Sequence, residues 1–394
     1  MKNIRGSVIA LAASALLLSA CGGGEPAPGG FPGVIVSDTH AYLASNFALY
    51  KVTLDNVTEV WRFGAGKNPA QPDVSFAGQP VKLGGTIVVG GGIGSSKIDN
   101  HVYGVSDETG LELWRFRGSA ESREYVDGVS TDGKLIFAPN GDGNLYALDP
   151  SQLESVNEDG VERKSPRLVW KFAATNKLWS RPAVADGRVY QASMDHKLYA
   201  LDAATGRLVW TFDQSTAPIG VRPAVSGGML YFGAFDNAFY ALDAATGALK
   251  WKTTLDAWLW SDPIVDRGVI YTADVRGKVH ALKADTGQEL WWLETRNAVR
   301  AQPVISGDTL YVASLDTLVY AIDLTNVRPA ADGRIEYKDV TRKWKDEVNL
   351  GRRLTSTPAL SGQNLWVPLF DGDVKLQSLD LGNGARKLAF PIKK

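Results

Sequence analysis

The chain has little of the residue types that build covalent or metal centres. Its 394 residues include one cysteine and four histidines, and a single thiol excludes an intramolecular disulfide framework. The histidines, His40, His101, His196 and His280, do not have the spacing of metal ligands. No Gly-x-Ser-x-Gly or Ser/His/Asp arrangement is present either. The sequence therefore predicts no metal site and no hydrolytic centre.

A charge excess and a second hydrophobic run are also missing. The chain has 42 basic and 43 acidic residues and a net charge of −1. Nucleic-acid binding would require a basic stripe, and none is present. After the first twenty residues no apolar run is long enough to cross a bilayer. We therefore expect neither a nucleic-acid partner nor a membrane-spanning helix in the body of the chain.

The N-terminal segment has the features of a secretory signal. A short basic start precedes an apolar run at residues 8–18, which is too short to span a membrane. The following Leu-Ser-Ala-Cys resembles a bacterial lipobox, which implies that Cys21 is lipidated. We expect a signal peptide at residues 1–20 and a flexible Gly/Pro-rich tether at residues 21–32. The alternative is an ordinary signal peptide followed by an unrelated cysteine.

The rest of the chain repeats at a spacing of about forty residues. A tyrosine recurs in the repeats, with His280 and Leu376 in the same slot of two units, and a tryptophan follows most of these positions by eleven residues. The tyrosines are Tyr50, Tyr103, Tyr146, Tyr199, Tyr240 and Tyr320, and the tryptophans are Trp61, Trp114, Trp170, Trp210, Trp251, Trp291 and Trp344. In the third and seventh repeats the tryptophan comes thirteen residues later than this spacing. A period of this length indicates a propeller, a solenoid or an array.

Each repeat reads as four short strands. In the fourth unit the strands are predicted within residues 182–187, 188–194, 197–202 and 207–212, because alternating apolar residues are interrupted by turn signals. A lone four-stranded sheet cannot bury both faces, whereas sheets arranged radially bury them against neighbours. We therefore predict an all-β chain, with an eight-bladed β-propeller of antiparallel blades at residues 33–391. A linear β-solenoid is the alternative.

The most regular stretch, LYALDAATGRLVW, has a structural interpretation at each position. Ala200 is expected to be small because neighbouring sheets approach closely, and Asp202 is expected to accept backbone N–H groups in the turn. Gly206 suits a positive φ. Trp210 supplies a large apolar face for packing between blades.

This stretch carries a family resemblance. The pattern Ala-x-Asp-x-x-Thr-Gly-x-x-x-Trp is similar to the tryptophan-docking motif of PQQ-type propeller repeats. Two units match it in full, at Ala200, Asp202, Thr205, Gly206 and Trp210, and at Ala241, Asp243, Thr246, Gly247 and Trp251. A lipobox followed by an eight-bladed propeller of this length resembles BamB-type lipoproteins. That resemblance implies a monomeric, cofactor-free, non-catalytic scaffold, anchored in the outer membrane of a Gram-negative host or otherwise in the outer leaflet of the cytoplasmic membrane, that binds a protein of the cell envelope.

Two other functions stay open. Quinoprotein dehydrogenases carry similar repeats, which would imply PQQ and Ca²⁺ at the channel mouth with Trp179 or Trp260 stacked on the quinone. The chain is shorter than those enzymes and lacks their adjacent cysteine pair. A carbohydrate-binding or ligand-sensing propeller is the third interpretation. The partner-binding segments of BamB-type proteins are absent, and the aligned places read GVRPAV and LWSDPIV.

The residues that differ between repeats indicate where a site would lie. The loop that precedes each innermost strand must border the central channel. It carries Gln79, Asp127, Arg181, Arg222, Asp262, Gln302 and Thr357 at one position, and Tyr125, Trp179, Trp260 and Arg300 two residues earlier. Trp258, two residues before Trp260, could be an exposed anchor. We predict a binding funnel at this mouth. In the alternative, paired Arg and Asp residues seal the channel and the aromatic residues cap the core.

Two insertions form a second asymmetry. Residues 151–166 and 326–338 lengthen the turns between the third and fourth strands of blades 3 and 7. Four blades separate them, so we expect them on opposite sides of the ring, on the face away from the mouth. They are tolerated surface insertions or contacts for a partner.

Overall fold

The computed structural model confirms the predicted eight-bladed propeller. It describes residues 32–45, 48–64, 76–92, 100–119, 123–327, 333–335, 343–344, 347–369 and 373–391. These residues form eight sheets, each with four antiparallel strands, that follow one another along the ring. The sheet of blade 6 gains a fifth, parallel strand from a later part of the chain. The expected signal peptide, Cys21 and nearly all of the tether lie outside the described residues.

The strands are numbered in chain order, blade by blade. Blades 1 and 2 contain β1 (Gly33–Val36), β2 (His40–Ser45), β3 (Ala48–Thr53), β4 (Glu59–Gly64), β5 (Phe76–Leu83), β6 (Thr86–Gly91), β7 (His101–Ser106) and β8 (Glu112–Arg117). Blades 3 and 4 contain β9 (Ser130–Thr131), β10 (Ile136–Pro139), β11 (Asn144–Glu158), β12 (Val161–Ala173), β13 (Ala183–Ala185), β14 (Arg188–Ala192), β15 (Leu198–Asp202) and β16 (Leu208–Phe212).

The second half of the ring follows the same plan. Blades 5 and 6 contain β17 (Ala224–Ser226), β18 (Met229–Gly233), β19 (Ala238–Asp243), β20 (Leu249–Thr254), β21 (Ile264–Asp266), β22 (Val269–Ala273), β23 (Lys278–Lys283) and β24 (Glu289–Glu294). Blade 7 contains β25 (Val304–Ser306), β26 (Thr309–Ala313), β27 (Leu318–Asp323), a 3₁₀ helix (Leu324–Asn326) and β29 (Val348–Asn349). In the chain, β28 (Arg334–Ile335) lies between this helix and β29, but it pairs with blade 6. Blade 8 contains β30 (Ala359–Ser361), β31 (Asn364–Pro368), β32 (Leu376–Asp380) and β33 (Arg386–Phe390). Within the described residues no helix is long and apolar enough to cross a membrane.

The ring closes by side-chain packing between blades 8 and 1. The first strands of neighbouring blades contact one another around the axis, and β1 contacts β30. Tyr50 of blade 1 meets Phe390 of blade 8 edge to face, with ring centroids 5.3 Å apart. The hydroxyl of Ser361 donates to the carbonyl oxygen of Ser37 at 3.4 Å. No strand is exchanged between blades 1 and 8 among the described residues, because each blade contains four strands of its own.

The repeat tryptophans join each blade to the next. The indole Nε1 of Trp170 donates to the carbonyl oxygen of Ala203 at 2.9 Å, and that of Trp251 donates to Ala284 at 3.0 Å. In each case the acceptor lies in the turn that follows the third strand of the next blade. Trp61 and Trp344 make the same bond, to Asp107 and Leu381. The repeated motif is therefore an inter-blade contact.

The small residues of the motif make room for these indoles. Gly206 has φ +71°, and a Cβ there would lie 2.6 Å from Cδ2 of Trp170. Ala200 is fully buried and pairs across the sheet with Trp210 of its own blade. The sequence predicted a small residue here because neighbouring sheets approach closely. In the structure the residue opposite Ala200 is Trp210 of the same sheet, so the small side chain also makes room for that indole. The carboxylate of Asp202 accepts the backbone N–H of Thr205 at 2.9 Å, as predicted.

The repeat tyrosines have partners that the sequence interpretation missed. The hydroxyl of Tyr199 donates to the carboxylate of Asp195 at 2.7 Å, and Tyr320 donates to Asp316 at 2.6 Å. The same pairs form at Tyr146 with Asp142 and at Tyr240 with Asp236. Each aspartate lies four residues before its tyrosine, in the turn between the second and third strands. A repeated Asp-x-x-x-Tyr was the available signal.

Blade 6 replaces this pair with a buried histidine. Nδ1 of His280 lies 2.6 Å from Glu289 Oε1, and Nε2 lies 3.4 Å from Asp274 Oδ2. Both His280 and Asp274 are fully buried. Burial lowers the pKa of His280, but the hydrogen bonds to Asp274 and Glu289 outweigh it and raise the pKa above its usual value.

The two insertions reach back to the preceding blade. The insertion in blade 3 extends β11 and β12 into a long hairpin that contacts β8 of blade 2. At its tip Glu158 pairs with His101 of blade 2. In blade 7, β28 adds to the outer edge of β24 as a fifth, parallel strand of blade 6. Residues 328–332 and 336–338 of that insertion lie outside the described residues. Both insertions therefore contact the outermost strand of a neighbouring blade.

Candidate functional site

Most of the side chains predicted for the channel mouth line one cavity. Its volume is about 80 Å³, and its lining includes Gln79, Asp127, Trp179, Arg181, Trp260, Asp262, Arg300, Gln302 and Thr357. Tyr125 lies elsewhere, because its side chain is fully buried in the core between blades 2 and 3. Arg222 lines a second cavity of about 320 Å³, bordered by the first strands of blades 4 to 6. The structure thus brings nine of these residues together and separates two.

The mouth residues join neighbouring blades through backbone N–H groups. Asp127 accepts the N–H of Arg181 at 3.1 Å, and Asp262 accepts the N–H of Arg222 at 2.8 Å. The hydroxyl of Thr357 accepts the N–H of Gln302 at 3.1 Å. Each bond links two consecutive blades, and each acceptor is the side chain at the variable position. These three side chains are therefore part of the scaffold.

Blades 1 to 3 meet at the mouth mainly through close backbone contacts, with one side-chain bond from Gln79 Nε2 to the carbonyl oxygen of Val34 at 3.0 Å. A Cβ on Gly33 would lie 2.2 Å from the carbonyl oxygen of Gly78. A Cβ on Gly78 would lie 1.9 Å from the carbonyl carbon of Asp127. The N–H of Gln79 donates to the carbonyl oxygen of Asp127 at 3.2 Å. Glycine is required at positions 33 and 78 because the strands approach too closely for any side chain.

Charges at the mouth are mixed and unevenly paired. Nε of Arg181 lies 3.6 Å from Oδ2 of Asp127, and its guanidinium also donates to the side chain of Gln79. Burial and the nearby Asp127 carboxylate raise the pKa of Asp262. Burial and repulsion from Arg181 lower the pKa of Arg222 to about 10. Arg181 and Asp127 therefore form an ion pair, whereas the side chain of Arg222 forms none within 4.0 Å in the described part of the chain.

An aromatic and cationic cluster stands beside the cavity. It consists of Phe235, Trp258, Trp260 and Arg300, and is named here the aromatic rim cluster. Trp258 stacks on Phe235 with ring centroids 5.7 Å apart and an interplanar angle of 20°. Trp260 contacts the same phenyl ring at 5.2 Å. The guanidinium of Arg300 lies 4.3 Å from the centroid of Trp260.

The cluster leaves part of both indoles accessible. Trp258, Trp260 and Arg300 are half-buried, while Phe235 is buried beneath them. Phe235 belongs to the turn between β18 and β19, which the sequence interpretation did not connect with the mouth. Gly220 leaves room for this ring, because a Cβ at that position would lie 2.7 Å from Phe235 Cζ. The cluster is thus a packed platform with an accessible upper side.

The mouth cavity is smaller than an ordinary cofactor site. The described residues contain no group of three or more His, Cys, Asp or Glu that could hold a metal ion. Small-molecule and cofactor sites usually measure about 300–1,000 Å³. The mouth cavity, about 80 Å³, lies below this range, and the second cavity, about 320 Å³, lies at its lower end.

Comparison with known proteins places the repeats in a family. The sequence profile described as "Outer membrane protein assembly factor BamB" matches residues 25–165, 154–257, 216–273 and 256–393. The chain is 26% identical over 172 residues to the outer membrane protein assembly factor BamB of Burkholderia pseudomallei, covering 44% of this chain and 38% of that protein. It is 30% identical over 95 residues to lupanine 17-hydroxylase [cytochrome c] of a Pseudomonas species, covering 24% of this chain and 13% of the enzyme. Both matches span well under half of the relative's length.

Solved structures share the architecture. The crystal structure of BamB from Moraxella catarrhalis superimposes with a TM-score of 0.65 at 18% identity, covering 86% of this chain and 91% of that one. A computationally designed protein, Ika8, superimposes with a TM-score of 0.67 at 14% identity, covering 87% of this chain and 94% of the design. At these identities the similarity shows the fold.

Proposed function

The chain belongs to the family described as outer membrane protein assembly factor BamB, and from that membership we propose that it is a lipid-anchored, non-catalytic scaffold that binds a protein partner in the cell envelope. In a Gram-negative host the partner would be a component that assembles outer membrane proteins. The propeller supplies a rigid ring, and the residues that differ between blades supply the binding surface.

The observation that carries this proposal is the aromatic rim cluster. Protein interfaces concentrate their binding energy in Trp, Tyr and Arg side chains that sit in well-packed surroundings. Trp258 and Trp260 are held by Phe235, and Arg300 is held over Trp260, so little side-chain entropy remains to be lost on binding. We place the docking surface here, on the side of the mouth formed by blades 5 to 7.

The proposed anchor is the lipidated Cys21, followed by the tether that ends at residue 32. A flexible Gly/Pro-rich tether of this length keeps the propeller close to the membrane while allowing it to reorient. Two further functions stay open: a quinoprotein dehydrogenase, which carries similar repeats, and a carbohydrate-binding or ligand-sensing propeller that uses the aromatic residues of the mouth. The match to lupanine 17-hydroxylase is the reason to test the first of these two functions.

The test is capture of envelope proteins by the purified full chain. The variants are Trp258→Ala and the double variant Trp260→Ala/Arg300→Ala, with Leu208→Ala on the exposed outer strand of blade 4 as the matched control. We expect one set of envelope proteins, identified by mass spectrometry, to be retained by the wild type and the control. The rim variants should lose that set.

Two outcomes would contradict the proposal. If all four proteins captured the same set, the aromatic rim cluster would not be the docking surface. If the wild type bound PQQ with Ca²⁺ saturably and reduced a dye in the presence of an alcohol, the chain would be an enzyme. Absorbance titration with PQQ therefore accompanies the capture experiment.

A further inference from the structure

The central channel contains a cavity with a single ionisable residue in its lining. The cavity measures about 320 Å³. It is bordered by the first strands of blades 4, 5 and 6, whose lining residues are mostly Ala, Val, Ile and Pro. Ser226 and Gln302 are the other polar residues of the lining. Among the described residues of this lining, Arg222 is therefore the only source of charge.

The guanidinium of Arg222 makes no direct contact with a hydrogen-bond acceptor or a carboxylate among the described residues. Its backbone N–H donates to Asp262, but the side chain takes part in no hydrogen bond and in no ion pair within 4.0 Å. The Nε atom is buried. Arginines elsewhere in the mouth are held: Arg181 by Asp127 and Gln79, and Arg300 by Trp260.

Two neighbouring carboxylates, Asp262 and Asp127, attract the charge of Arg222 without contacting its guanidinium. Asp127 lies within 4 Å of Arg181, and Asp262 accepts the backbone N–H of Arg222. Arg222 is half-buried, and a charge partly withdrawn from water without a contacting counter-ion is unfavourable. The pKa of Arg222, lowered to about 10, still leaves the side chain charged at neutral pH.

We propose that this channel cavity is an anion site in which Arg222 binds one small oxyanion, a carboxylate or a phosphate. A planar guanidinium binds two oxygens of either group with parallel hydrogen bonds. The volume admits such an anion together with a few water molecules. The site is distinct from the aromatic rim cluster, and the proposal does not depend on the docking of a protein.

The test is calorimetric titration of the purified full chain with inorganic phosphate and, separately, with acetate at constant ionic strength. The variants are Arg222→Gln and the matched control Arg207→Gln, in which an exposed arginine of blade 4 is changed in the same way. We expect saturable binding of at least one anion to the wild type and to the control. Arg222→Gln should weaken it by about tenfold or more, since a charge-assisted bond is lost.

The two titrations separate the two kinds of oxyanion. Binding of phosphate alone would assign the site to phosphate, and binding of acetate alone would assign it to carboxylates. Absence of saturable binding by both, or equal binding in Arg222→Gln, would overturn the proposal. If Arg222→Gln does not fold, crystals of the wild type soaked in bromide decide the question. An anomalous peak beside the guanidinium supports the site, and its absence overturns it.

Discussion

The indole Nε1 of Trp210 in blade 4 donates a hydrogen bond to the carbonyl oxygen of Ala244 in blade 5, 3.2 Å away. The ring lies against Gly247, where a Cβ would come within 2.6 Å of Trp210 Cδ2. The glycine and the tryptophan therefore belong to different repeats, and each motif completes the motif of its neighbour. Stability of the ring should depend on this contact.

Gly247→Ala is expected to destabilise the propeller by more than the backbone penalty alone. Gly247 has φ +74°, and Gly228 has φ +75° with open space around it. Gly228→Ala is thus a control for the strain of a positive φ, which costs about 1–2 kcal/mol. Gly247→Ala adds the collision with the indole, for a total of about 3–4 kcal/mol. Urea unfolding measures both, and equal losses would show that the indole contact is not tight.

Tyr199→Phe should be costly although it removes only one oxygen. The hydroxyl donates to the half-buried carboxylate of Asp195, and burial, together with this bond, raises the pKa of Tyr199. A hydrogen bond to a charged group is worth about 1.5–3 kcal/mol. The control is Tyr231→Phe, whose buried ring has no hydrogen bond on its hydroxyl within the described structure. A loss at Tyr231 that matches the loss at Tyr199 would contradict the role of the pair.

Stability should fall as the pH rises past neutrality, and His280 should be the cause. The hydrogen bonds to Asp274 and Glu289 raise the pKa of His280 in the folded state above the unfolded value of 6.5. The folded state therefore binds the proton more tightly, and the resulting stability is present in full below pH 6.5. It is lost as the pH rises through the folded value.

Urea midpoints at pH 6 and pH 8.5 measure this dependence. His280→Gln should flatten it, whereas His196→Asn, a change at an exposed histidine with φ +72°, should leave it intact. An unchanged pH dependence in His280→Gln would assign the titration to another group.

Cys21→Ala tests the proposed anchor. Lipidation requires the cysteine thiol, so the variant should lose incorporation of radiolabelled fatty acid. It should also move from the membrane fraction to the fraction released without detergent. Cell fractionation of the wild type and the variant measures both effects. A variant that stayed in the membrane fraction would require another means of attachment.

The blades could be predicted from the sequence because their determinants are local. In blade 4 the expected strands at 182–187, 188–194, 197–202 and 207–212 enclose β13 to β16. Each hairpin pairs residues that are close in the chain, so alternating apolar residues and turn signals are enough. The repeat tryptophan could also be predicted from the local sequence, since it follows the tyrosine at the same distance in most repeats.

The features that were missed depend on contacts distant in the chain. The direction of the two insertions is set by β8 and β24, which belong to the preceding blades. Tyr125 was placed at the mouth by its position before the strand, yet it packs inward against Gly90, where a Cβ would lie 2.5 Å from Tyr125 Cβ. Phe235 joins the mouth through a turn of the neighbouring unit, which a repeat-by-repeat alignment does not connect with Trp258.

The closure of the ring has a consequence for the order of events during synthesis. Blades 1 and 8 each hold four strands from their own segment, and within the described residues no strand of one pairs with a strand of the other. They are joined by contacts such as Tyr50 packed on Phe390 and the bond from Ser361 to Ser37. The first blade can therefore complete its backbone hydrogen bonds as soon as it leaves the ribosome, without waiting for the C-terminal strand. Assembly can advance in the direction of translation, one sheet at a time. The last blade then packs against a first blade whose strands are already paired.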